Sequence, residues 1–78
     1  MRKRDELTDP KSCMSRAADG EMVFVLLGRD VAAPETIRYW CAERIALEKN
    51  VATDPQIVEA LECAKTMERE RTKGTDHA

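Results

Sequence analysis

The sequence predicts an α+β, mostly helical domain. One short β-strand precedes two α-helices (β-α-α), and the strand pairs between subunits of a homo-oligomer. Three observations predict it. The longest apolar run, Met22–Leu27, lies between Gly20 and Gly28. Residues 34–49 and 55–67 carry apolar side chains near helical spacing, each behind a proline. No other segment has strand composition, so the strand lacks a partner in its own chain.

Residues 1–20 are polar and weakly patterned, which predicts a flexible or partly helical segment. Asp9-Pro10 suits a helix start and Asp19-Gly20 a helix end. The apolar content between them is slight. The triplet Arg2-Lys3-Arg4, followed at once by Asp5 and Glu6, reads as a solvated tail.

Residues 21–73 are predicted to form the single β-α-α domain. Alternation along its strand puts Met22, Phe24 and Leu26 on one face and Val23, Val25 and Leu27 on the other. Both faces are apolar, as in a strand covered on both sides. Its N–H and C=O groups need partners. Pairing across a two-fold axis supplies them, which makes Met22–Leu27 the expected oligomer interface. A buried helical turn, or pairing with an unrecognised N-terminal strand, are the alternatives.

Residues 28–33 connect the strand to a helix whose first position suits Pro34. Ile37, Trp40, Cys41, Ile45 and Leu47 form its stripe, and Asn50 suits its end. The next helix opens at Asp54-Pro55, capped by Asp54 or by a box between Thr53 and Gln56. Ile57, Ala60, Leu61, Ala64 and Met67 line its narrow stripe. Beyond Met67 the helix is polar all round and ends at Gly74, and residues 74–78 are predicted to be a disordered tail.

Composition narrows the function. Of the 78 residues, ten are Ala and three Cys, leaving 20 larger apolar side chains. A core of that size rarely supplies more than about 3–5 kcal/mol, so small domains usually add staples or self-association. The net charge is −2, with no strongly basic segment, which argues against nucleic-acid binding. No apolar run approaches the roughly 20 residues that span a bilayer, and no signal-peptide pattern opens the chain. The expected location is the cytoplasm, the host cytoplasm if the chain is phage-encoded. Cys13, Cys41 and Cys63 are odd in number and contain no Cys-x-x-Cys pair, and the only histidine is His77. That pattern argues against a disulfide framework and a metal site. No nucleophile stands beside a base in sequence, so neither an enzyme nor a cofactor is expected.

The connector and the helix that follows are the expected ligand site. A helix N-terminus attracts anions, and Arg29 precedes it while Arg38 lies one turn inside. With Asp30, Arg44 and Tyr39 or Trp40, in pockets at subunit boundaries built from neighbouring copies, these residues could hold a phosphate and stack a base. The competing reading has Asp30 capping the helix, Arg38 pairing with Glu35 or Asp30, and Trp40 in the core.

The stretches Asp19–Asp30, Ala33–Trp40 and Ile57–Glu68 resemble a group of short phage and prophage proteins with no assigned activity. The shared pattern is a phenylalanine-bearing strand, an Ala-Pro helix start, a Trp about six residues on and a closing helix. The resemblance spans roughly residues 19–70. It implies a viral accessory protein, with an anti-defence role by analogy. The expected function is a homo-oligomer that sequesters an anionic ligand, such as a nucleotide immune signal, without turning it over. The alternative is a protein-interaction module that inhibits or adapts a host protein, for example a defence protein.

Overall fold

The computed structural model describes residues 1–71. They form four helical segments: α1 (Lys3–Thr8), α2 (Cys13–Arg16), α3 (Ala33–Ala46) and α4 (Pro55–Glu70). α3 packs against α4 as a helical hairpin, and α1 packs against α2. Gly74 and segment 74–78 lie outside the described residues.

α3 starts where Pro34 can sit in the first turn without losing a hydrogen bond. Its inner face is Ala33, Ile37, Cys41 and Arg44, spaced by four, four and three residues. The facing stripe of α4 is Ile57, Ala60, Ala64 and Met67, spaced by three, four and three. Ala33, Cys41, Ile57 and Ala64 are the buried hydrophobic residues, with Ile57 the largest of them. Small side chains at the contact let the two helices approach closely. The stripe expected on α3 is rotated: Trp40, Ile45 and Leu47 are all exposed, and Leu47 is past the helix end.

That end comes before Asn50. Glu48 takes the left-handed conformation, φ 59°. Its N–H donates to the Ile45 carbonyl at 3.0 Å, and the Lys49 N–H to the Arg44 carbonyl at 3.0 Å. This is a Schellman cap, in which glycine is the usual residue at the left-handed position. Asn50 instead ties the interhelical turn together. Its carbonyl accepts from Arg44 Nε at 2.7 Å, while its amide donates to Asp54 Oδ2 at 2.9 Å and to Gln56 Oε1 at 3.2 Å. Asp54 also accepts from the Val51 N–H at 3.0 Å. It therefore organises the turn and makes no side-chain cap on α4. Glu48→Gly is expected to relieve the left-handed penalty of about 1 kcal/mol. The melting temperature should rise by about 4–8 °C, as followed by circular dichroism.

The N-terminal segment carries more helix than its pattern suggests. Ser12 is almost completely buried. Its hydroxyl donates to the Glu6 carbonyl at 2.6 Å and accepts from the Ser15 N–H at 3.1 Å, capping α2. The Glu6 carboxylate accepts from the Met14 N–H at 2.8 Å. α2 opens at Ser12, and Asp9-Pro10 forms the turn before it.

The β-α-α expectation is corrected here: there is no β-strand among the described residues. Met22, Val23, Phe24, Val25, Leu26 and Leu27 run as irregular backbone between α2 and α3. The cover expected on both faces is missing too. Met22 is 95% exposed and Phe24 86%; Val23, Val25 and Leu27 are more than half exposed, and Leu26 is partly covered. The physical reason is a shortage of partners. α3 and α4 satisfy their backbones internally and spend their apolar faces on each other. No hydrogen bond joins the backbone of residues 22–26 to another described residue. A strand paired between subunits is therefore not retained.

Candidate functional site

The expected ligand residues fall into three separate groups. Arg29 and Asp30 sit in the turn before α3. Asp30 Oδ1 accepts from the Ala32 N–H at 2.9 Å, and the Asp30 carbonyl accepts from the Ala33 N–H at 3.0 Å. The carboxylate thus closes the turn before α3 on the N–H of Ala32, the N-cap residue, and makes no side-chain cap on the helix, unlike the competing reading. Arg29 is exposed and makes no ion pair among the described residues.

Arg38 belongs to the second group and is fully engaged. Its guanidinium forks onto Glu68 across the hairpin, with Nη2–Oε1 at 2.7 Å and Nη1–Oε2 at 3.0 Å. Nη1 also donates to Glu35 Oε1 at 2.7 Å. Bidentate geometry of this kind is the strongest that arginine makes with a carboxylate. The hydrogen bonds it donates to Glu68 and then to Glu35 raise the Arg38 pKa, and the same fork holds Glu68 below the ordinary carboxylate value.

The third group is Trp40 with Arg44, whose guanidinium carbon lies 5.8 Å from the ring centroid. That distance is within cation–π range. At about 100° per residue, Trp40 and Arg44 project from the side of α3 opposite Arg38. Tyr39 points elsewhere again and is 70% exposed. No hydrogen bond, ion pair or ring contact among the described residues joins Arg29, Arg38 and the aromatic residues into one pocket.

A recess does exist, away from the expected pocket on α3. An open cleft of about 1240 Å³ lies between the N-terminal helices, residues 23–29 and α4. Leu7, Cys13, Met14, Phe24, Cys63 and Met67 are among its lining residues. Both Arg2 guanidinium nitrogens donate to the Glu70 carboxylate, which ties the start of α1 to the end of α4. At the other margin an added Cβ on Gly28 would meet Met67 Cγ at 3.3 Å, so glycine permits the close approach there. The apolar run supplies one wall, Val23–Leu27, but Leu7, Cys13 and Met14 on the other wall carry no periodicity that ties them to it.

Two carboxylates make stability depend on pH. Glu68 is lowered by Arg38, and Asp54 is lowered first by the Asn50 amide and then by the Val51 N–H. A carboxylate with a depressed folded-state pKa stabilises above its unfolded value, about 4, and loses that contribution as pH falls through the folded value. The melting temperature should therefore fall below about pH 4. Glu68→Gln should flatten part of that fall in thermal melts at stepped pH. An equal acid slope in wild type and variant would remove Glu68 from the account.

Among the described residues no group of three or more His, Cys, Asp or Glu side chains could hold a metal ion. No helix among the described residues is long and apolar enough to cross a membrane. Against this geometry, the chain matches no family model, no curated protein and no solved structure.

Proposed function

We propose that the chain is a non-catalytic interaction module that works by associating with another polypeptide through residues 22–27, first of all with a second copy of itself. One observation carries the reading: Met22 and Phe24 stand 95% and 86% exposed on a segment of six apolar residues. Contiguous exposed apolar surface marks interaction sites. The small buried core adds support, because an interface would supply burial that the isolated hairpin lacks. Sequestration of an anion draws less support, since Arg38, a cation it relies on, is occupied by two carboxylates. The phage resemblance extends the same reading to an accessory protein in the host cytoplasm that inhibits or adapts a host protein.

Sedimentation velocity and native mass spectrometry of the reduced chain at micromolar concentration test self-association. A dimer or higher species that dissociates on dilution is the expected result. A monomer with a cooperative thermal transition would overturn it.

A further inference from the structure

The cleft holds two of the three cysteines. Cys13, at the start of α2, and Cys63, on α4, both line it, while Cys41 is buried in the α3/α4 core. Cys13 is exposed and Cys63 partly so. A guanidinium stands close to Cys13. Arg16 Nη2 donates to Cys13 Sγ at 3.5 Å.

The two walls of the cleft are joined loosely. Neither α1 nor α2 packs against α3 or α4. The N-terminal pair is held together by its own bonds through Ser12 and Glu6, and Arg2–Glu70 is an exposed tie to α4. The link to α3 runs through residues 17–32, whose stretch 22–26 makes no backbone hydrogen bonds to other described residues. Such a unit reorients readily, because few contacts resist its movement.

We propose that the cleft is a redox-sensitive clamp, in which peroxide joins Cys13 to Cys63 and locks the N-terminal helical pair onto α4. The exposed Cys13 sulfur attacks the peroxide oxygen, the O–O bond breaks, and the departing hydroxide leaves as water. Cys13 is then a sulfenic acid. The Cys63 sulfur attacks Cys13 Sγ, an S–S bond forms, and the sulfenic hydroxyl departs as a second water with the Cys63 thiol proton. The two thiols lose two electrons and two protons, and the peroxide is reduced to two waters. No Cα atom of α2 lies within 8 Å of one in α4, and a disulfide needs Cα atoms about 4.4–6.8 Å apart. Forming it therefore requires the N-terminal pair to swing toward α4 and narrows the cleft beside residues 23–27.

The three cysteines fall on separate tryptic peptides, Ser12–Arg16, Tyr39–Arg44 and Asn50–Lys65, so the full chain reports its own pairing. It is treated with hydrogen peroxide as a mixture of ordinary and ¹⁵N-labelled protein and digested without reduction. The expected product is a cross-link between Ser12–Arg16 and Asn50–Lys65 with no mixed-isotope species. Cys13→Ser and Cys63→Ser should each abolish it, and Cys41→Ser should leave it. The oxidised chain should melt roughly 10 °C higher, and dithiothreitol should reverse the shift. Cross-links to Cys41 in equal yield, mixed-isotope pairs alone, or over-oxidised single thiols would each overturn the clamp.

Discussion

Replacing Ile57 with alanine should leave the chain largely unfolded at room temperature. Ile57 is 1% exposed and is the largest fully buried side chain. It sits in the first turn of α4, where it closes the hairpin against α3. Removing a buried isoleucine down to its Cβ costs about 2–5 kcal/mol. That range overlaps all that so small a core supplies, about 3–5 kcal/mol. The other buried hydrophobic residues are two alanines and a cysteine, which cannot expand to fill the cavity. Urea titration followed by circular dichroism checks the result. Leu61→Ala provides the contrast, since Leu61 is 36% exposed and should cost far less. Equal losses at the two positions would mean that the core does not centre on Ile57.

The double variant Met22→Asp/Phe24→Asp should sediment as a monomer where the wild type associates, with an unchanged far-ultraviolet spectrum. Both side chains already lie in water, so placing charge there removes little from the isolated fold. At an interface the effect is large. Burying a methionine or phenylalanine is worth about 1.5–3 kcal/mol. Losing two of them weakens association by at least about 3 kcal/mol, more than a hundredfold in Kd. Desolvating the new carboxylates adds to that. A variant that still associates would move the interface away from residues 22–27, whereas a variant that unfolds would show that the segment supports the monomer. Neither measurement depends on the clamp, because both are made under reducing conditions.

Two parts of the architecture are legible from local residues alone. The starts at Pro34 and Pro55 need only a fixed φ and a missing N–H, both properties of the proline itself. The turn at Asp30 is similar, since an aspartate can bond a backbone N–H two residues on without help from elsewhere. α1 was not legible. Its six residues include a single apolar one, the exposed Leu7. The bonds that fasten it to α2 come from Ser12 and Met14, six and eight positions beyond Glu6. Periodicity cannot report contacts of that kind.

The candidate site divides in the same way. Arg38 could be matched with Glu35 from their spacing on one helix. Glu68, thirty positions away, makes two of the three bonds and turns a single local pair into a cation held by two carboxylates. The run from Met22 to Leu27 misled for a related reason. An apolar composition states that a segment gains by leaving water, but it does not supply the surface that removes it.

Local chemistry by itself determined where the two long helices begin, that the core would be thin, and that one apolar segment would outrun its partners. Tertiary packing alone decided which face of α3 turns inward, that Arg38 is neutralised across the hairpin, and that residues 22–27 remain in water. The division follows from range. Caps and turns are settled by atoms a few bonds apart, whereas burial and charge pairing depend on what a distant stretch of chain brings to the same place.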